Sequence, residues 1–452
     1  VLPRLKNDFV EILEAMANGT LDKINIEIDD RAATTIMLVS GGYPEAYEKG
    51  KEITGVDSIK DSISFHAGAQ IKDGKIVTVA DATVIKMDMS DMEIINANGK
   101  HVYPGFIVPN STLGLVEIDA VRASDDESEI GEFNPHVRSI IAYNAESKLV
   151  ETTRPNGVLL AQITPRGGRI PGTSSIVQLD AWNWEDATVK TNDGIHLNWP
   201  RSYSRAGWWA EPGGIEMNKN YEPQIKAIQE YFDNAFAYLE SKNAKKDIPF
   251  EAMKGLQSGE KTLYVNANGE KEIIDAVLFK KKNNITKMVI VGGYYAFKVA
   301  SLLKENQVSV LLKRVHDLPL LEDEDVNLPY KNAKLLVDAG VLVGLQNAGD
   351  MERMQTRNFP FYAGTCAAWG LSKEQALQLI TGNSAKILGI DKQYGTLEAG
   401  KSATLFISEG DALDMKTNVI SFAFIDGRQI SLESHHTELY GRYKGKFEQQ
   451  KK

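Results

Sequence analysis

Two stretches of the sequence carry most of the information on the fold: HVYPGFIVPNSTLG, residues 101–114, and LSKEQALQLITGNSAKILG, residues 371–389. The first stretch contains the short apolar run Phe106-Ile107-Val108. In the second, Ser372 stands where an N-cap is expected, directly before an amphipathic helix. Strand and helix signals alternate between the two stretches, which predicts a parallel α/β barrel.

Both stretches, together with GTLEAGK (395–401) and FIDGR (424–428), resemble the amidohydrolase superfamily, and its imidazolonepropionase-like members in particular. The resemblance covers about residues 79–452. It implies an α/β fold built around a TIM-like (β/α)8 barrel with a small β-sandwich. The expected parts are the barrel over 108–392, the sandwich assembled from 79–107 and 393–430, and a polar tail over 431–452.

The first 78 residues carry a different pattern. Residues 1–22, VLPRLKNDFVEILEAMANGTLD, predict a capped amphipathic helix, and residues 61–78, DSISFHAGAQIKDGKIVT, contain the hairpin signal Asp73-Gly74. These stretches resemble the C-terminal part of phosphoribosylamine–glycine ligase, an ATP-grasp enzyme of purine synthesis. The resemblance begins after the ATP and magnesium ligands of that family, so it implies a short α/β fragment without a nucleotide site. The fragment is fused to the barrel near residues 73–77.

Composition excludes some classes of partner. The net charge of −10 argues against nucleic acid or an anionic membrane surface as the main partner. No apolar run approaches the length of a membrane span. Cys366 is the single cysteine, so neither an intrachain disulfide nor a cysteine-based zinc site is expected.

The amidohydrolase resemblance implies one or two divalent metals, such as zinc, at the C-terminal mouth of the barrel. Histidines would come from the first, fifth and sixth strands, and an aspartate from the eighth. With the fifth strand at 262–267, the sixth at 287–291 and the eighth at 341–348, these positions hold Asn110, Thr112, Asn266, Gly292 and Ala348, or Asp350 if two residues are inserted. Neutral amides, a hydroxyl and glycine bind such metals poorly. We therefore expect no metal and no other cofactor.

Other residues near the predicted mouth could still form a binding pocket. Arg166 lies in a Gly-rich loop that either holds an anion such as a carboxylate or is only a tight turn. His196 follows an apparent strand and is either a pocket residue or a satisfied core histidine. Glu117 follows the first strand, where barrel residues face substrate, although the acidic run after it favours a solvated loop. The pocket candidates are Asn110, Thr112, Glu117, Arg166, His196 and Asn266.

Two functions follow from these observations. By resemblance, the chain is a hydrolase of C–N bonds other than peptide bonds, but replacement of the usual metal ligands predicts that it is inactive or uses polar pocket groups instead. The alternative is a non-catalytic protein that binds a small amide or peptide-like ligand, or that associates with an active amidohydrolase or with itself. The ligase-like fragment implies the cytoplasm, whereas the barrel relatives are often exported to the periplasm, so the compartment stays open.

Overall fold

The computed structural model describes residues 7, 9–20, 23–27, 68–80, 94–97, 99–208, 211–241, 244–349 and 351–450. The chain divides into two units, the first comprising 1–68 and 80–95, the second 69–79 and 96–452. In the described part of the first unit, helix α1 (Phe9–Ala17) buries Ile12 and Ala15. None of the helices in the described ranges has the length and apolar content needed to cross a membrane.

The strands of the described residues are β1 (Gly68–Lys72), β2 (Lys75–Ala80), β3 (His101–Pro104), β4 (Phe106–Ser111), β5 (Val158–Ile163), β6 (Gly172–Gln178), β7 (Thr188–Asn198), β8 (Tyr203–Trp208), β9 (Glu211–Met217), β10 (Thr262–Ala267), β11 (Met288–Gly292), β12 (Ser309–Leu312), β13 (Val343–Leu345), β14 (Leu405–Ser408), β15 (Ile420–Ile425) and β16 (Arg428–Gln429). The helices that follow α1 are α2 (Lys148–Glu151), α3 (Trp184–Ala187), α4 (Tyr221–Glu240), α5 (Ile248–Ala252), α6 (Glu270–Lys282), α7 (Ala300–Glu305), α8 (Leu328–Asp338), α9 (Glu352–Gln355), α10 (Phe359–Ala368), α11 (Lys373–Ile380), α12 (Gly382–Leu388) and α13 (His435–Gln450).

Eight strands form a nearly closed barrel, which confirms the predicted TIM-like fold. Their order is β4-β5-β6-β7-β10-β11-β12-β13. All the neighbouring pairs are parallel except the two that involve β6, which runs antiparallel to both β5 and β7. The connection from β5 to β6, residues 164–171, is too short for the crossover of about a dozen residues that a parallel pair requires. The barrel therefore departs from strict strand–helix alternation at this connection.

Side-chain alternation along the strands gives the barrel sheet two apolar faces. The inner face carries Ile107, Leu160, Ile176, Tyr264 and Leu311, and residues of α12 and the turn after it complete this cluster. The outer face packs against the helices in a second, larger cluster. Both faces are therefore buried, as expected for a barrel covered by helices.

The second sheet lies beside the barrel and joins the two ends of the second unit. Its order is β16-β15-β14-β3, and β3 pairs antiparallel with β14. Since β3 leads directly into β4 through Gly105, this sheet delivers the chain to the first barrel strand. The hairpin of β1 and β2 is bound to the same unit, because Ile76 N donates to Lys401 O at 2.9 Å and Gly400 N donates to Ile76 O at 2.8 Å.

Candidate functional site at the barrel mouth

The end of β4 is irregular, and this irregularity shapes the mouth. Asn110 has a φ of 52°, a left-handed conformation that asparagine tolerates better than most residues, and the pairing with β5 shifts register between Val108 and Ser111. The backbone N–H of Asn110 donates to Gln162 Oε1 at 3.0 Å instead of to a strand neighbour. The Asn110 side chain donates to Gln346 Oε1 at 3.4 Å. Side chains thus bridge the seam between the first and the last barrel strand.

An arginine and a glutamate meet at this seam. The Arg166 guanidinium donates to Asn110 Oδ1 and to Asn110 O, both at 2.9 Å. It also donates to the two carboxylate oxygens of Glu352, at 3.3 and 3.2 Å. Glu352 Oε1 further accepts from Thr112 N at 2.9 Å and from Thr112 Oγ1 at 2.6 Å. The Glu352 side chain is only 7% exposed and that of Arg166 23% exposed, so this pair is shielded from water.

The backbone brings Arg166 to this place through a turn that requires glycine. Arg166 N donates to Glu127 O at 2.6 Å, and Gly167 and Gly168 follow with positive φ angles of 82° and 50°. A Cβ at position 168 would lie 2.7 Å from Gly131 O. The Gly-rich loop is therefore a tight turn that requires glycine, and it also supports Arg166. Its alternative role as a loop that holds an anion stays a prediction.

A second cluster of polar side chains surrounds Asp193 within the barrel, and it connects to the cluster of Arg166 and Glu352 through Gln162. Asp193 accepts from Ser174 Oγ at 2.7 Å, from Gln162 Nε2 at 2.8 Å and from Tyr264 OH at 2.8 Å. Because the Ser174 hydroxyl donates to Asp193, its oxygen is left to accept from His196 Nε2, which lies 2.9 Å away. The His196 ring stacks on Tyr264, and its Nδ1 is buried without a partner among the described residues.

Burial and the nearby charges set the protonation of these groups. Burial, assisted by the positive charge of Arg166, holds the pKa of His196 well below its usual value, so the imidazole is neutral. Burial raises the pKa of Asp193, although its hydrogen bonds act in the opposite direction. Burial also acts to raise the pKa of Glu352, but Arg166 and the bonds from Thr112 outweigh it and leave that pKa below the usual range. Glu352 is therefore a carboxylate at neutral pH.

The six candidate residues do not all lie together. Asn110, Thr112 and Arg166 form one cluster, and His196 joins it through Ser174, Asp193 and Gln162. Asn266 is half-buried at the end of β10 and donates to Asn198 Oδ1 at 2.8 Å. Glu117 accepts from Asn144 Nδ2 at 3.1 Å and makes no described contact with the cluster.

The remaining positions where metal ligands would be expected are also defined. Gly292 has a φ of 95°, and a Cβ there would lie 2.6 Å from Asn268 Oδ1, so the backbone leaves little room for a side chain. Ala348 N donates to Gln346 Oε1 at 2.6 Å. Asp350 lies outside the described residues. Across the described ranges, no group of three or more histidine, cysteine, aspartate and glutamate side chains is placed to hold a metal ion.

Sequence reasoning did not select Glu352, Asp193 or Gln162 as site residues. Glu352 and Arg166 are separated by 186 positions, and a single sequence contains no signal that pairs them. A weak signal exists for Glu352, because it follows the last barrel strand closely and such residues reach the mouth. Gln162 and Asp193 are polar residues within buried strands, and a buried polar residue in an apolar run is itself an informative feature.

The fold defines a class, which is a TIM-like barrel with an accompanying four-stranded sheet. Residues 318–430 match the family model described as amidohydrolase family. Among solved structures, an amidohydrolase from Thermotoga maritima MSB8 superposes with a TM-score of 0.68 at 22% sequence identity, covering 80% of this chain and 94% of that one. At this identity, the likeness establishes the fold.

The N-terminal region matches a second family. Residues 33–98 match the model of the phosphoribosylglycinamide synthetase C domain. The phosphoribosylamine–glycine ligase of Caldanaerobacter subterraneus subsp. tengcongensis is 46% identical over 78 residues, 17% of this chain and 19% of that protein. The trifunctional purine biosynthetic protein adenosine-3 of Gallus gallus is 43% identical over 96 residues, 20% of this chain and 10% of that protein. The chain spans about a fifth or less of these relatives, and both resemblances are confirmed: a ligase-type fragment is fused to an amidohydrolase-type barrel.

Proposed function

We propose that this chain is a metal-independent, non-catalytic member of the amidohydrolase type, which binds a small amide or peptide-like ligand at the barrel mouth. The observation that carries this proposal is the Arg166 guanidinium, held by both oxygens of Asn110 and paired with Glu352. A cation that belongs to the chain itself therefore lies against the first of the two positions where the family resemblance implies metal-binding histidines.

The side chains at the mouth do not fit a divalent ion. Asn110, Thr112 and Asn266 offer only neutral oxygens, whereas zinc and similar metals prefer imidazole and carboxylate. Glu352 supplies a carboxylate, but it is already neutralised by Arg166 and by two bonds from Thr112. A metal ion would have to displace the guanidinium or bind beside it, at a cost in charge repulsion.

Binding of an amide ligand is supported by the half-buried part of the mouth. Asn266 presents a side-chain amide there, and an amide both donates and accepts hydrogen bonds, as a peptide group does. Its partner Asn198 is held in place, because Asn198 Nδ2 donates to Gly167 O at 3.1 Å and to Gly168 O at 2.8 Å. Arg169, which follows Gly167 and Gly168 in the Gly-rich loop, donates to Asn198 O at 2.7 Å and helps to position Asn198. The mouth thus offers polar groups that complement a peptide-like ligand.

A metal-independent hydrolase is the second candidate, and the contact between Ser174 and His196 favours it. Two features of the site oppose it. The serine lies between the aspartate and the histidine, so the carboxylate does not contact the imidazole as it does in a Ser-His-Asp triad, and His196 Nδ1 has no partner among the described residues. In addition, each of the three residues is 1% exposed or less, which leaves a substrate no path to the hydroxyl.

The proposal is tested by metal analysis and calorimetry of the purified full chain. We expect less than about 0.1 equivalent of zinc, manganese or iron after expression with added metals, and no rise in melting temperature on adding them, since only a ligand that binds the folded state stabilises it. Turnover of N-acyl amino acids, lactams and small amides should equal that of an Arg166→Ala control. One equivalent of tightly bound metal, or hydrolysis abolished in the control, would overturn the proposal.

A further inference from the structure

The carboxylate of Glu352 lies in a cradle formed by three separate segments. Thr112 donates to it through N and Oγ1, at 2.9 and 2.6 Å, from the end of β4. Gly349 N donates to Oε2 at 3.2 Å from the loop after β13. Arg166, from the loop after β5, donates to both oxygens at 3.3 and 3.2 Å. Backbone N–H groups, a hydroxyl and a guanidinium that converge in this way are the donors from which carboxylate sites are built.

Most of this cradle does not depend on Glu352 for its position. Arg166 is fixed by two bonds to Asn110, which is itself held by Gln162 and Gln346. Thr112 is fully buried directly after β4, on a segment separate from α9. If the Glu352 side chain left, a positively charged and hydrogen-bonding cavity of carboxylate size would remain.

The segment that inserts Glu352 carries backbone strain. Glu352 begins the four-residue helix α9, and Met351 before it has a φ of 55°. A long side chain such as methionine adopts this left-handed conformation rarely and at a cost in free energy, so other contacts must hold it there. The bonds to the Glu352 carboxylate are such contacts, and withdrawal of the side chain would relieve the strain.

We propose that this cradle, formed by Thr112, Gly349 and Arg166, is a carboxylate-binding site whose occupant here is Glu352, and that the carboxylate of a small ligand takes the place of Glu352. The inference rests on the proposed function and refines it, because it assigns to the ligand a free carboxylate, such as that of a peptide C-terminus. Glu352 then acts as an internal competitor that keeps the site closed until such a ligand binds.

The first test uses the variant Glu352→Ala and acetate, which restores the CH2–COO⁻ group that the substitution removes. Thermal unfolding is measured in EDTA with sodium acetate, sodium chloride of equal ionic strength, or the neutral isostere acetamide. With acetate at ten times its Kd, the unfolding constant should fall roughly 11-fold. Chloride and acetamide should have no saturable effect, and neither should acetate on the double variant Arg166→Met/Glu352→Ala.

The second test asks whether a ligand displaces Glu352 in the unaltered chain. Acetate, but not acetamide, should accelerate trypsin cleavage after Arg353, because α9 leaves the mouth with its glutamate. Rescue of Glu352→Ala by acetamide, rescue that persists without Arg166, or unchanged cleavage of the unaltered chain would each overturn the inference. If Glu352→Ala does not fold in chloride, the yield of folded protein in acetate is compared with the yield in acetamide, and it should be higher in acetate. A bound metal would overturn the proposed function alone, since every arm here contains EDTA.

Discussion

The two halves of the barrel interior are lined by the same strands, yet their chemistry is opposite. In the lower half, Ile107, Leu160 and Ile176 form an apolar cluster. Two residues further along β5, Gln162 belongs to a hydrogen-bonded network, and both Leu160 and Gln162 are fully buried. Apolar packing tolerates small changes of shape, whereas a buried polar network is stable only while each member keeps its partners. The lower half is thus built for stability and the mouth for specific contacts.

The largest effect is expected from breaking the ion pair at the mouth. In Arg166→Met, the Glu352 carboxylate stays buried without its cation, so the free energy of unfolding should fall by about 4 kcal/mol. Urea unfolding followed by tryptophan fluorescence at pH 7 measures this loss. The double variant Arg166→Met/Glu352→Gln should recover part of it, because no unpaired charge remains.

An exposed ion pair provides the matched control. Lys148 pairs with Glu151 at 3.4 Å, and the lysine side chain is 77% exposed. Lys148→Met should change the free energy of unfolding by less than about 1 kcal/mol. If Arg166→Met were equally mild, the mouth would not be the water-shielded network described above, and the contrast between the two halves would disappear.

The next largest effect concerns the apolar half. Leu160→Ala removes a fully buried side chain from the inner cluster, and the resulting cavity should lower the free energy of unfolding by about 3 kcal/mol. The same urea titration measures it. Leu278→Ala on α6, where the side chain is 52% exposed, is the control and should change stability by less than about 0.5 kcal/mol. Equal losses for the two variants would mean that the inner cluster is not a packed core.

The contrast also explains what could be predicted from sequence. The fifth strand, predicted at 262–267, is β10 with the same bounds, because a short apolar run between breakers is a local signal. The antiparallel β6 was not predicted, since strand direction depends on a connection and not on the strand itself. Glu352 was missed because its partners Arg166 and Thr112 lie 186 and 240 positions away. Local patterns therefore locate the strands and several polar residues at their ends, whereas the contacts that pair these residues join segments far apart in the sequence.

A smaller effect is expected at the point where the two halves meet. Gln162→Leu keeps the volume but leaves the buried Asn110 N–H without its acceptor and Asp193 without one donor. The free energy of unfolding should fall by about 2 kcal/mol, the typical cost of an unsatisfied buried polar group. Gln378→Leu on α11, at an exposed position, is the control and should cost less than about 0.5 kcal/mol. If Gln162→Leu left the free energy of unfolding unchanged, the buried groups at the end of β5 would not require hydrogen-bond partners.

The smallest effect is a change in pH dependence at His196. Burial, together with the Arg166 charge, holds the pKa of His196 well below 6.5 in the folded chain, whereas the unfolded chain has the ordinary value. Below about pH 6.5, the unfolded state therefore binds a proton that the folded state does not. His196 therefore adds no penalty above the unfolded pKa, and the free energy of unfolding decreases as the pH falls below it, by about 1.4 kcal/mol between pH 7.5 and 5.5.

The variant His196→Phe isolates this contribution, because phenylalanine keeps the ring stacked on Tyr264 but cannot titrate. Its loss of stability between pH 7.5 and 5.5, from urea titrations at both values, should be smaller than that of the unaltered chain by about 1.4 kcal/mol. His136→Phe, at an exposed position, should leave the difference unchanged. If His196→Phe behaved like this control, the imidazole would be able to take up a proton in the folded state. The upper half of the barrel would then be accessible to water, and its polar residues could bind water instead of one another.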